Sequence, residues 1–293
     1  MAGAAGETPA PRPRGRTTPF CSATSRDLAE PLTATASYVE EWLLVEWTGA
    51  WGRHALTESG LPRHLADPLV EMDRAARAKA ILVRQGVRED PGRTTPSLVV
   101  RARSTVGDER LARSTLGGPD GLRLDPSGVE PPPPGTGRDE RLLVVCTNGR
   151  HDACCANEGR PLVRAMRARD AGPVWECSHV GGDRFAANVV LLPHGCYFGR
   201  VAPPDLEAFL AELDAGRLPL AHYRGRSALP PPAQAVEIAV RTETGERRID
   251  ALRGWRRRRV ADDRWAVQVD LAGRGFLGDV EPEGQGAVDR QLL

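Results

Sequence analysis

The sequence has almost no lysine. Lys79 stands alone, and the rest of the 40 basic residues are arginine, set against 39 acids for a formal net charge of +1. A chain this balanced has no global field to gather nucleic acid or an anionic membrane surface. It also lacks any apolar run near the roughly 20 residues of a membrane span. Residues 1–19 hold no apolar core of a secretory signal. Their Ala, Pro, Gly and Arg content reads as a disordered tail. The expectation is a cytoplasmic chain without membrane or nucleic-acid partners. Cysteine is scarce too, with six in 293 residues. In a reducing compartment such cysteines point to metal or redox chemistry before structural disulfides.

What is there is punctuated by proline. Two proline-rich stretches, 126–139 and 224–234, read as linkers. They divide the chain into an N-terminal α/β region at 20–125, a middle domain at 140–223 and a small β-rich C-terminal region at 235–293. In the first region, 38–47 reads as a strand, 65–86 as a helix from its three- and four-residue apolar spacing, and 96–103 as a second strand. The middle domain reads as a strand at 141–147, a helix at 157–170, strands at 173–181, 185–193 and 195–201, and a helix at 203–216. The order β-α-β-β-β-α is that of a thioredoxin-like domain. "LLVEWTGAWGRHA" (43–55) resembles "LLVVCTNGRHDA" (142–153), which suggests a duplicated half in which Trp47 stands where the second copy has Cys146. Alternating apolar and polar residues after 235 read as a small antiparallel β unit.

Three of the six cysteines fall in "VVCTNGRHDACCANEG" (144–159), straight after a wholly apolar strand. About twenty residues on comes "ECSHVGGDRFAAN" (176–188). On a strand Cys177 and His179 share a face, and Gly181 and Gly182 let the chain turn so that Asp183 comes round to the same end. Thiolate, imidazole and carboxylate thus converge from two loops at one end of a sheet. Such a donor set also suits tetrahedral zinc, and Cys154 or Cys155 would serve a metal-free thiol oxidoreductase.

The spacing C-x8-C followed by "HVGGDRFAAN" resembles the sucrase/ferredoxin-like family, whose core is a thioredoxin-like ferredoxin. "CSATSRDLAEPLTATA" (21–36) and "WLLVEWTGAWGRHAL" (42–56) extend the resemblance over most of residues 20–220. The resemblance implies a [2Fe-2S] cluster held by Cys146 and Cys155 with His179. Fungal members have H-x3-H where this chain has His179 and Asp183. The fourth ligand stays open: spacing favours Asp183, and ligand chemistry favours Cys177, thiolate being the usual partner of iron–sulfur clusters. The implied role is one-electron transfer to or from a redox partner protein. Arg256–Arg259, four consecutive arginines, read either as a solvated edge strand or as a docking patch for an acidic partner. Sugar hydrolysis is not expected, because no paired-acid constellation is present. A zinc-stabilised interaction protein and a metal-free thiol oxidoreductase remain the alternatives.

Overall fold

Strands buried on both faces read as unbroken apolar runs, and four such runs build the centre of this protein. The computed structural model describes residues 20–86, 98–115, 133–261, 264–280 and 289–292. The tail at 1–19 and the first half of the first proline-rich stretch, 126–132, lie outside the described residues. The chain opens with α1 (Cys21–Asp27), β1 (Glu41–Glu46), α2 (Ala55–Glu58), α3 (Arg63–Arg74), β2 (Ala78–Arg84), β3 (Leu98–Arg103) and β4 (Arg110–Thr115). The middle holds β5 (Leu142–Cys146), α4 (Ala153–Ala168), β6 (Val174–Cys177), β7 (Val189–Leu192), β8 (Cys196–Phe198), α5 (Leu206–Asp214) and β9 (Tyr223–Arg226). The end holds α6 (Pro231–Thr244), β10 (Leu252–Ala261), β11 (Arg264–Leu271), β12 (Arg274–Val280) and β13 (Asp289–Leu292).

Nine strands form one sheet in the order β4-β3-β1-β2-β6-β5-β7-β8-β9. The pairing of the first half repeats in the second. β1 runs parallel to β2 and antiparallel to β3, as β5 runs parallel to β6 and antiparallel to β7. The order 6-5-7-8, with α4 crossing between β5 and β6, is thioredoxin-like. The halves meet where β2 pairs with β6, antiparallel, at Val83 with Cys177 and Arg84 with Glu176. A single sheet therefore runs through residues read separately as 20–125 and 140–223. The duplication legible in "LLVEW" and "LLVVC" is a duplication of topology as well. Trp47 and Trp51 fill the corresponding place in the first half, packed with Leu65 and Leu69 of α3.

The sheet curls. Leu143 and Val145 face α4 and α5, while Leu142 and Val144 face a second core shared with Trp42 and Leu44 of β1. Trp42 donates to Ser104 Oγ at 3.0 Å, and Ser104 donates to the Pro193 carbonyl at 2.7 Å, tying the first half to the β7–β8 turn.

Three readings change. Residues 65–86 are not one helix: α3 stops at Arg74, and Ala78–Arg84 is a strand. Ala80-Ile81-Leu82-Val83 is buried between β1 and β6, and an apolar run buried on both faces carries no period to separate it from a helix. Residues 224–234 are not a linker. Tyr223–Arg226 is a buried sheet strand, and the prolines open α6, where a missing N–H costs nothing. Residues 236–244 are accordingly helix, ended by Gly245 at φ 70°. Glu237 and Arg241 form a fully buried ion pair on α6 at 2.7 Å, also held by Tyr223 Oη. Two charges on the inner face broke the apolar stripe that marks a helix. Past 252 the expected antiparallel sheet forms, in the order β10-β11-β12-β13, with α6 on it. Arg256–Arg259 lie exposed on its edge strand β10.

The β7–β8 turn carries His194. Arg226 donates to His194 Nδ1 at 3.2 Å, which requires that nitrogen unprotonated. Burial, then the positive charge of Arg226, pushes its pKa down to about 3. The unfolded chain takes the proton near 6.5. The group's contribution to stability is therefore full above that value and is lost as pH falls toward 3. A fully buried imidazole would cost about 2 kcal/mol between pH 7 and pH 5, and partial exposure here makes about 1 kcal/mol the better figure. Urea unfolding of His194→Gln should show a pH 7 to pH 5 difference smaller by that amount. An identical difference in both proteins would refute the assignment.

Candidate metal centre

The carboxyl ends of parallel β5 and β6 open toward the amino end of α4, the usual place for a site in such a sheet. Cys146 is the last residue of β5. The chain then turns through 147–152, with Asn148 Oδ1 accepting from the N–H groups of Arg150 at 3.2 Å and His151 at 3.4 Å. Asp152 caps α4 by accepting from Cys154 N at 2.7 Å. The helix starts at Ala153, a turn earlier than the sequence suggests, so Cys154 and Cys155 sit in its first turn rather than in a loop. Gly159 lets the helix lie against the strand: a Cβ there would meet the Cys146 carbonyl oxygen at 2.1 Å.

β6 ends at Cys177, so the strand alternation that would align Cys177 with His179 stops there. The next residues form a loop. Gly181 and Gly182 take φ 98° and 79°, conformations that disfavour any side chain. All three carbonyls of the Val-Gly-Gly run are held. Ser37 Oγ and Tyr197 Oη donate to Val180, at 3.1 Å and 3.3 Å. Arg224 donates to Gly181 at 3.1 Å, and Asn188 to Gly182 at 2.7 Å. Arg224 also binds Asn188 Oδ1 at 2.7 Å and Thr35 Oγ1 at 3.0 Å. Its guanidinium lies fully buried beneath the loop, and burial lowers its pKa to about 10.

Two groups of possible ligand atoms, each within 4.8 Å, share His179. In the first, His179 Nδ1 stands 3.9 Å from Cys146 Sγ and 3.8 Å from Cys155 Sγ. In the second, His179 Nε2 stands 3.4 Å from Asp183 Oδ1, and His151 joins them. The His151 ring stacks on His179 with centroids 3.6 Å apart. Its Nδ1 donates to the Arg53 carbonyl at 3.2 Å, leaving Nε2 as the free donor atom. A cleft lined by Arg53, His54, Lys79, His151 and His179 brings solvent to the imidazole side. The Cys155 thiol hydrogen-bonds to Cys146 and holds it well below the usual thiol range, while burial opposes. Cys155 moves up in turn, from that same hydrogen bond and from burial.

The structure thus brings Cys146, Cys155, His179 and Asp183 together. Cys177 joins neither group. Its thiol lies wholly buried in the core with Val83 and Trp175, and burial pushes its pKa well up. One participant escaped the sequence reading: Arg224 carried no signal of its own, since it lies 36 residues from its partner. Asn188 closes the "HVGGDRFAAN" motif, and His151, inside the cysteine loop, reads from the sequence either as a hydrogen-bond partner of cluster sulfur or as a solvated loop histidine. Cys196 is a core cysteine. Cys21 stands 3.3 Å from Cys154, with Asp152 beside both. Arg184 pairs with Glu30 across the site's rim at 2.5 Å.

Among solved structures the chain is similar to a thioredoxin-like [2Fe-2S] ferredoxin from Aquifex aeolicus, with 17% identity over 31% of this chain and 94% of that one and a TM-score of 0.28. A cysteine-to-serine variant of that ferredoxin matches with 17% identity over 29% of this chain and 99% of that one, TM-score 0.27. No match is found among curated proteins. The sucrase/ferredoxin-like family profile matches residues 32–225, which span the nine strands up to β9. The chain belongs to the sucrase/ferredoxin-like family.

Proposed function

We propose that this protein binds a [2Fe-2S] cluster and serves as a one-electron carrier rather than a hydrolase. Cys146, Cys155, His179 and Asp183 would hold the cluster. The observation that carries the reading is the pair of ligand groups joined at His179, sulfur on one side and nitrogen with carboxylate on the other. The donor set fits: two soft sulfurs in a buried pocket, and harder ligands at its solvent side. When bound, the cluster supplies the electron chemistry. The chain's own residues hold it, fix its surroundings and set its charge. Imidazole in place of thiolate makes the centre less negative, which favours a potential above that of an all-cysteine equivalent. The buried cation of Arg224 acts in the same direction. Cys177 packs behind the site, consistent with its exclusion from both ligand groups, and His151 is the competitor for the fourth position. Docking of an acidic partner is assigned to Arg256–Arg259, which are exposed on an edge strand.

The test is anaerobic purification with an absorption spectrum and iron and sulfide analysis. Equal iron and sulfide with visible absorption is expected; a colourless protein holding only zinc would overturn the reading. For the fourth ligand, Asp183→Cys and Asp183→His should keep the cluster but change the electron paramagnetic resonance of its reduced form. His151→Ala and Cys177→Ala should leave the spectrum largely unchanged. An unaltered signal in the Asp183 variants with cluster loss in His151→Ala or Cys177→Ala would move the assignment to that residue.

A further inference from the structure

A second sulfur pair lies beside the proposed cluster and is not part of it. Cys21, the first residue of α1, and Cys154, in the first turn of α4, approach to 3.3 Å between Sγ atoms across 133 residues of chain. Cys21 keeps partial contact with solvent, while Cys154 is only 2% exposed. The Asp152 carboxylate stands 3.8 Å from Cys21 Sγ. We propose that Cys21 and Cys154 are a redox-active dithiol that closes to a disulfide by exchange with a small-molecule disulfide of the glutathione class.

The sulfurs are closer than two thiolates on one tetrahedral metal, which bonds of about 2.3 Å would hold some 3.7 Å apart. The third possible ligand, Asp152, gives one of its oxygens, Oδ1, to the cap of α4. A bond of about 2 Å needs the sulfurs, now 3.3 Å apart, to approach by little more than 1 Å. The exchange balances. Cys21, the accessible partner, attacks one sulfur of the small disulfide and releases one thiol, leaving a mixed disulfide. Cys154 attacks Cys21 Sγ and releases the second thiol. Two cysteine thiols are oxidised by two electrons, one small disulfide is reduced, and the two thiol protons leave on the released thiols. The bond would lock α1 to the first turn of α4. Arg26 already spans this contact through Glu158 at 3.1 Å and the Ala186 carbonyl at 2.9 Å. Cys155 is the next residue, so the pair's oxidation state bears on how firmly the neighbouring site is held.

The test equilibrates the full chain, purified anaerobically, in buffers of stepped ratios of oxidised to reduced glutathione, followed by alkylation and peptide mass mapping. A cross-link between the peptides of Cys21 and Cys154 is expected, with no glutathione retained, reversed by dithiothreitol, and with a higher melting temperature when oxidised. Cys154→Ser should trap glutathione on Cys21, and Cys21→Ser should leave Cys154 reduced. Free alkylation of both residues at every ratio would overturn the proposal, as would glutathione persisting on Cys21 of the unaltered chain, or a cross-link from either residue to Cys146, Cys155 or Cys177. Protection of both thiols by a retained metal ion would overturn it equally. Iron and absorbance read on the same samples keep the two proposals separate, since an iron-free chain that still forms this cross-link refutes the cluster and leaves the dithiol standing.

Discussion

Exchange of Cys146 or Cys155 for serine is expected to bleach the protein and lower its iron content by more than ~10-fold, since loss of even a supporting residue around a metal commonly costs 10- to 100-fold in affinity. The two positions are not equivalent in origin. Cys146 is held by the sheet, as the last residue of β5, and Cys155 by the first turn of α4. Removing either would take one of the two cysteine sulfurs from a buried pocket, where solvent does not readily replace it. The unfolded chain scatters these residues, so binding of the proposed cluster would contribute directly to stability. Both variants should therefore melt at the temperature of the iron-free wild type. Cys154→Ser should retain the iron, because Cys154 turns toward Cys21 and away from His179. Iron analysis and absorbance of the three variants, purified anaerobically in parallel, decide the matter. Equal loss in all three would contradict the separation of the two sulfur groups.

Gly159→Ala should destabilise the protein by about 2 kcal/mol and loosen the site. In an exposed helix the change would gain roughly 1 kcal/mol, because alanine is the better helix former. Here the new Cβ would stand 2.1 Å from the Cys146 carbonyl oxygen and 3.2 Å from its carbon. Those are backbone atoms of a central strand and cannot swing aside. Overpacking of this kind costs typically 1–3 kcal/mol, and a backbone clash belongs at or beyond the top of that range. α4 must lift from β5, carrying Cys155 away from Cys146. Urea unfolding measures the first effect, and the rate of iron loss to a chelator measures the second. A variant as stable as wild type, with unchanged iron release, would show that the helix does not bear on the strand at this point.

The elements legible in the sequence were those whose pattern is local. β5 announced itself by five apolar residues, and the loop 179–183 by two glycines between a histidine and an acid. The C-x8-C spacing and the convergence of Cys146, Cys155, His179 and Asp183 were readable for the same reason. What could not be read depended on burial and pairing that the local pattern does not carry. β2 resembled a helix because burial on both faces erases periodicity. α6 resembled strands because Glu237 and Arg241 neutralise each other on its inner face. Cys177 looked like a ligand so long as the strand was assumed to continue to His179, and ceased to once the strand stopped. Arg224 reaches back to Thr35 and across to Asn188, contacts that no spacing encodes. Cys21 appeared isolated because its partner is 133 residues away.

The antiparallel seam between β2 and β6 joins equivalent strands of two equivalent halves. That is the geometry of a two-fold homodimer interface, written into a single chain. In a true homodimer any substitution appears twice, so neither copy can give up its thiols without the other doing so. Fusion removes that coupling. In one half the position equivalent to Cys146 is filled by Trp47, packed with Trp51, and this half covers the edge of β6 that would otherwise invite pairing with another molecule. The other half carries the candidate ligands. The asymmetry of the site is thus a freedom gained from covalent linkage, and the first half supplies to the second what a partner subunit would.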